Sequence, residues 1–401
     1  MNSRNNRERK ILYIRQSLAS LADNLSAPYI GYYFASLSGS GALQGLLQLS
    51  VNSLPTITQV FAGSWLDRTR RHVTLLLATS IAASLLWLVI PLTLNPYALV
   101  GLITARALAV GVAGLALTAL IAEIFGSDER GSILSNVNFA AQLVALPVFA
   151  LTFSWNPNLE TLRFIFIISG LISLAASFTW ISMLSIERRI RRQTTQLSLL
   201  ATSKVFKDKT FTTFVAANSA YSFAMAVAWP LFPLAQSYVF LMKISDLALL
   251  NILSSSTTMI SQYALAKRIN GSNLKTLIVF SRAGLVMFPT VYMLAHDPLP
   301  IFVWQALSGP FVAIGSVAIP LYAMETADPE LKASYLSYLN LFQGVSASLG
   351  SAVGGFVADK LIAMKGWEGI RYGFALSATL RMVALLPFLK IKKLQSIQGK
   401  Y

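Results

Sequence analysis

Long apolar runs follow one another along nearly the whole chain, broken only by short polar turns, and this pattern decides what it can fold into. Such runs cover about 11–36, 42–66, 73–94, 97–124, 132–154, 162–186, 210–236, 246–266, 274–295, 299–324, 333–358 and 370–390. A helix needs about 20 largely apolar residues to cross a hydrocarbon layer about 30 Å thick. Barrel strands are about 10 residues long and alternate in polarity; these runs are longer and uniformly apolar. The expected fold is therefore an all-α membrane protein with 12 transmembrane helices. Composition agrees: 55% of the 401 residues are hydrophobic and 12% charged, against about 25% charged in a soluble domain.

The net charge of +16 does not mark a nucleic-acid binder, because the charges sit in short clusters between apolar runs. Such clusters suit loops at an anionic membrane face. With the N-terminus in the cytoplasm, the groups at Arg4–Lys10, Arg68–Arg71, Arg188–Lys209, Lys267–Lys275 and Lys390–Lys400 all fall inside. Only Arg163, Lys243, Lys360, Lys365 and Arg371 fall outside. The excess of inside Lys and Arg predicts cytoplasmic termini in a multi-pass protein of the cell membrane. The basic start MNSRNNRERK precedes an apolar run too long for a signal peptide, so it reads as an uncleaved first span.

The longest polar interval, 187–209, divides the chain into a six-helix bundle at 1–186, a cytoplasmic linker, and a second bundle at 210–401. At an offset of 202 the halves correspond. Glu123 falls on Glu325, Pro28 on Pro230, Arg130 on Lys332, and Ser132, Leu134, Ser135 and Asn138 on Ser334, Leu336, Ser337 and Asn340. An even number of spans per half gives two parallel pseudo-repeats. That arrangement places a solute site between them near the midplane.

Several chemistries are missing. With no cysteine there is no disulfide, thiolate metal site or thiol nucleophile. No G-x-x-x-x-G-K-[ST] loop or H-E-x-x-H motif is present, and the two histidines, His72 and His296, lie in loops. The expectation is a non-enzyme without cofactor or metal, functional as a monomer.

Two short motifs carry a family resemblance. The segment Gly63-Ser64-Trp65-Leu66-Asp67-Arg68-Thr69-Arg70-Arg71-His72 resembles the signature between the second and third helices of the major facilitator superfamily. Gly63, Asp67, Arg68 and Arg71 match it; Arg70 replaces the second glycine. Gly63 would permit close helix approach, and Asp67 would accept charge-assisted hydrogen bonds. The resemblance implies a cytoplasmic gate that breaks when that side opens. Arg106 followed by Ala107-Leu108-Ala109-Val110-Gly111-Val112-Ala113-Gly114 is similar to the family's fourth-helix motif. The Gly-Pro-rich fifth-helix motif of its drug–proton antiporters is absent.

Asp23 is the acidic residue nearest mid-depth, where a charge costs about 2.5–3.5 kcal/mol on insertion scales. The resemblance puts helices 1, 4, 7 and 10 around a central cavity, which makes Asp23 and Arg106 candidate partners for proton coupling. At 1.5 Å per residue their depths differ by roughly 9 Å, near the reach of an arginine. The alternative is a structural hydrogen-bond site shared with Asn24. Arg15, Arg282 and Arg381 lie closer to helix ends and are expected to snorkel to the surface; for Arg381, the deepest, the alternative is to face the cavity. Tyr29, Tyr32, Asn218, Tyr221, Trp229 and Gln305 are the candidates for solute contact. Gly350, Gly354 and Gly355 form a small-residue face for tight helix contact.

These features predict a secondary active transporter for a small organic solute, coupled to protons and working by alternating access. Export of hydrophobic compounds is the first expectation. Uptake of a metabolite, anionic if Arg106 meets it, and passive facilitation are the alternatives. A non-transporting sensor or scaffold is the alternative of another class.

Overall fold

A computed structural model describes residues 2–69, 71–124, 143–155, 158–190, 205, 207–265, 273–327 and 332–393. Among the described residues every regular element is helical. In chain order these are α1 (Asn2–Ser26), α2 (Ile30–Ser38), α3 (Gly41–Thr69), α4 (His72–Val89), α5 (Pro96–Ile124) and α6 (Leu143–Trp155). There follow α7 (Leu159–Phe178), α8 (Leu184–Ile190), α9 (Lys209–Ala226), α10 (Leu231–Leu234), α11 (Ile244–Leu265) and α12 (Leu274–Leu285). The last are α13 (Met287–Leu294), α14 (Leu299–Leu307), α15 (Gly309–Thr326), α16 (Lys332–Lys365) and α17 (Ile370–Lys390). Seven helical segments among the described residues are long and apolar enough to cross a membrane. The pair α14 and α15, bent by 42° at Ser308, makes an eighth.

The starts and breaks have local causes. Asp208 caps α9 by accepting from the amides of Thr210 (2.8 Å) and Phe211 (3.1 Å), and Asn158 caps α7 through the Thr161 amide. Such caps satisfy amides that have no partner within the helix. Prolines sit at two of the breaks, where the missing N–H and the crowded preceding turn weaken the helix, although Pro55, Pro320 and Pro387 lie inside continuous helices. Pro28 sits in the 3-10 turn Ala27–Tyr29 between α1 and α2. Pro230 ends the turn 227–230 that separates α9 from α10. The two prolines that coincide at the 202 offset therefore interrupt two helices at corresponding places.

The chain divides into two compact units. The first comprises Met1–Ser38, Ser53–Gln196 and Lys243–Leu249. In it α1 packs on α7, and α4 packs on both α5 and α7. The core includes Leu12, Leu66, Leu76, Leu120, Trp180 and Met183. Deeper along α4, Trp87 packs on Phe166, which meets Tyr33 edge to face. Gly111 lets α5 lie against α3: an added Cβ would come within 2.6 Å of Pro55. Gly63 is different. A Cβ there meets Leu115 at an ordinary 3.7 Å, so its lack of a side chain is not what sets helix spacing.

The second unit comprises Gly39–Asn52, Leu197–Met242 and Leu250–Tyr401. Here α9 packs on α16 and α17, α12 on α15, and α13 on α17. Its core includes a run of rings in which Tyr322 meets Phe214, Phe214 meets Phe388 and Phe388 meets Tyr221. The glycines of α16 serve two contacts. A Cβ on Gly350 or Gly354 would lie 2.2 Å from the Phe223 carbonyl or 2.0 Å from the Val227 carbonyl, while Gly355 meets Gly41 and Gly45 of α3. Close backbone approach of this kind is how membrane helices gain packing energy without a hydrophobic drive. Asp359 of α16 accepts from the Ala42 amide (2.9 Å) and the Ser40 hydroxyl (3.1 Å), capping α3.

Large apolar side chains point outward from both units: Phe61, Phe164, Phe178, Tyr263, Val383 and Leu386 are exposed. Water tolerates such patches poorly, whereas lipid is their natural solvent.

Glu187 heads the basic run yet is buried. It accepts from the Thr74 amide and hydroxyl, both at 2.7 Å, at the first turn of α4. A carboxylate there satisfies end amides and opposes the positive end of the helix dipole. Replacing Glu187 by alanine is expected to cost about 1–2 kcal/mol, read as a lower melting temperature in detergent. Glu187→Gln, which keeps an acceptor oxygen, should lose less. His72, expected in a loop, is the buried first residue of α4.

Candidate functional site

Each unit holds a polar cluster within its apolar interior. The first joins α1, α4 and α5. Arg106 Nη2 donates to Asp23 Oδ1, closing an ion pair between α5 and α1. Trp87 of α4 lies beneath the guanidinium, 4.2 Å from ring centroid to carbon. A cation over an indole face is stabilised by the ring quadrupole, the more so away from water. The Asp23 side chain is 44% exposed and that of Arg106 only 14%. The acid therefore keeps an open side while its partner is held from behind. Asn24 takes no part: its amide donates to the Ser20 carbonyl (2.8 Å) and hydroxyl (2.9 Å).

Chemically, this is an acid that can exchange a proton and a permanent cation that can leave it. Arginine stays charged in proteins, so only Asp23 can change charge within the pair.

The second cluster lies wholly inside the second unit. Asn218 of α9 is fully buried; it donates to Gln343 Oε1 (3.0 Å) and accepts from Arg282 Nη2 (2.5 Å). Arg282 of α12 also lies over the Tyr221 ring at 4.5 Å, while the Tyr221 hydroxyl donates to the Arg282 carbonyl at 2.6 Å. Arg381 of α17 donates to the carbonyls of Leu285 (2.6 Å) and Met225 (3.0 Å). Both arginines line a cavity of about 510 Å³, together with Trp229, Phe232, Asn340 and Gln343 among others.

The snorkelling expectation fails for these arginines. Arg282 and Arg381 are 4% and 2% exposed. Their helices pack that face inward, against α9 and its aromatic neighbours. Arg15 also turns inward, to Gln16 (3.1 Å), Ser80 (3.4 Å) and the Trp180 ring. Distance from a helix end sets how far a side chain must reach. Which side of the helix it occupies is a separate matter, decided by packing.

Of the residues singled out for solute contact, Trp229 lines the cavity, and Asn218 and Tyr221 stand behind it holding Arg282. Tyr29 is buried in the turn between α1 and α2, Tyr32 is half-buried on α2, and Gln305 is half-buried on α14. In the loop motif, Arg71 is exposed at the start of α4. The side chains of Asp67, Arg68 and Glu123, and all of Arg70, Arg130, Ser132, Leu134, Ser135 and Asn138, lie outside the described residues. So does most of the 187–209 interval. Sequence reading passed over the grouping of Arg282, Arg381 and Gln343 with Asn218. Its available signal was uncharged hydrogen-bonding residues on three apolar helices that also carry or face an arginine.

The model of the Major Facilitator Superfamily matches residues 12–350. No curated protein matches the chain. Among solved structures, the nucleoside transporter NupG is similar with a TM-score of 0.74 at 13% identity, covering 96% of this chain and 99% of its own. A bacterial homologue of the human lysosomal transporter Spinster, inward-facing and unoccupied, has a TM-score of 0.71 at 12% identity, covering 97% and 98%. The human organic anion transporter MFSD10 has a TM-score of 0.61 at 14% identity, covering 95% and 98%.

Proposed function

The chain belongs to the Major Facilitator Superfamily, and from that premise we propose that it is a proton-coupled secondary transporter of a small organic solute. It is a multi-pass membrane protein of a transporter family, not an enzyme. The proposed layout is twelve membrane helices in two parallel six-helix bundles, 1–186 and 210–401, with both termini in the cytoplasm.

Three helix pairings support the repeat. In the first unit α1 packs on α7, α4 on α5, and α4 on α7; in the second α9 packs on α17, α12 on α15, and α13 on α17. At the 202 offset these are the same three pairs. The breaks at Pro28 and Pro230 fall at the same point of both series. Parallel repeats of this kind work by rocking about a site near the midplane.

The observation that carries proton coupling is the Asp23–Arg106 pair with its half-open acid. An ionisable group at membrane depth is costly and marks an ion or substrate path. In the cycle a proton on Asp23 replaces Arg106 as its countercharge. That exchange ties the protein's conformation to proton occupancy.

The first test is a thermal-shift screen of purified protein against metabolites and drugs at two pH values, since a specific ligand stabilises by mass action. The ligand found there should then cross proteoliposome membranes and carry protons with it. Binding without flux would overturn transport in favour of a sensor. Flux without proton movement would leave a facilitator and remove the role given to Asp23.

A further inference from the structure

We propose that the cavity in the second unit is an anion site, and that the solute is an amphiphilic organic anion whose charged head meets Arg282 and Arg381. This deepens the transporter reading and rests on it for its physiological meaning; the site itself is testable by binding alone.

The argument is one of charge. Two guanidiniums line one cavity of about 510 Å³, and none of its lining residues is acidic. Each is almost wholly buried, and neither can shed its proton. Their protein partners are neutral: an amide oxygen for Arg282 and two backbone carbonyls for Arg381. Nε of each carries no protein partner among the described residues. A buried charge normally finds a countercharge, because leaving it unpaired in a low-dielectric interior is expensive. Where the protein offers no fixed anion, a bound one satisfies the pair. Guanidinium forks also match the planar geometry of carboxylate and phosphate oxygens.

The remaining walls describe the rest of the solute. Trp229, Phe232 and Phe288 present aromatic surface, and Asn340 and Gln343 add neutral hydrogen-bonding groups. A volume near 510 Å³ lies within the usual range for small-molecule sites of roughly 300–1,000 Å³. Arg106, the other cation that could meet an anionic solute, is already paired with Asp23. The Asp23–Arg106 pair thus holds its own countercharge, whereas the two cavity arginines meet only neutral described groups. A neutral hydrophobic compound would leave their charge uncompensated.

The shared chemistry, an anionic oxygen head on an apolar body, belongs both to soluble organic acids and to anionic lysolipids. Isothermal titration of the purified full-length protein separates them, using 4-phenylbutyrate, its neutral amide 4-phenylbutyramide, 1-naphthyl phosphate and an oleoyl lysophosphatidate. The expected result is saturable binding of an acid, at least about tenfold tighter than the amide. Arg282→Gln and Arg381→Gln should each weaken it by about tenfold or more, while Arg381→Lys, which keeps the charge, should retain most of it. Binding of lysophosphatidate alone would keep the anion site and assign it to lipid. Equal affinity for acid and amide, arginine variants that bind like the parent, or no anion binding at millimolar concentration would each overturn the proposal. Anion binding without flux leaves the site standing and removes the transporter reading. Flux of a neutral solute does the reverse.

Discussion

With asparagine in place of Asp23, the protein reconstituted in vesicles is expected to lose all proton-driven accumulation of its solute while still exchanging solute across the bilayer. Asparagine keeps the shape of the side chain and an oxygen for Arg106, so the contact between α1 and α5 persists in weaker form. It has no titratable group, so nothing in the pair can carry a proton. Arg106 has no other carboxylate among its described contacts and lies on Trp87 with its side chain only 14% exposed. The accumulation ratio should fall to one, and the exchange rate should stay within about tenfold of the parent. Exchange is measured with labelled solute on both sides of the vesicle membrane. Full accumulation by Asp23→Asn under an imposed pH gradient would show that the proton travels elsewhere.

The second large effect is on stability. Gly354→Leu should destabilise the protein more than any other single change discussed here, by about 3 kcal/mol, read as a lower melting temperature in detergent. A Cβ at this position falls 2.0 Å from the carbonyl oxygen of Val227. The obstruction is backbone, not the end of a pliant side chain, so α9 and α16 must move apart. Overpacking usually costs about 1–3 kcal/mol, and here it also disturbs the helix that positions Asn218. Gly114 of α5 supplies the control: a Cβ there meets nothing within 4 Å. Gly114→Ala should be neutral or slightly stabilising, since glycine inside a helix is worse than alanine by about 0.5–1 kcal/mol. A Gly354→Leu protein that melts with the parent would contradict the contact.

The contrast between glycines shows where sequence reading ends. The face at Gly350 and Gly354 was legible because three small residues recur at helical spacing in an apolar run, and the contact follows from that pattern. Gly63 was read in the same way from a motif, and its neighbour Leu115 stands at an ordinary distance. Asp23 and Arg106 were legible as candidate partners through the family resemblance, which puts their helices around one cavity; their depths, differing by about the reach of an arginine, allowed contact without requiring it. Arg282 was not, and for Arg381 the cavity stood only as the alternative to the surface. Their positions along the helix allow either the surface or the interior, and the choice depends on neighbours from α9, α15 and α16 that no local pattern names. Seven of the apolar runs, those beginning at 73, 97, 162, 210, 274, 333 and 370, coincide with described helices long and apolar enough to cross a membrane. Breaks within a run, such as Ser308 between α14 and α15, depend on the nearby Gly309-Pro310 and on the approach of Thr257.

The interruptions at Pro28 and Pro230 have a mechanical consequence. An unbroken helix resists bending because its outer hydrogen bonds must stretch. At a proline one of those bonds is missing from the start, so flexing there gives up little. Compliance in α1–α2 and in α9–α10 is thereby concentrated at two hinges, one five residues beyond Asp23 and the other next to Trp229. A small swing at either elbow changes the reach of the acid to Arg106, or the mouth of the arginine-lined chamber, without unwinding the rest of the rod.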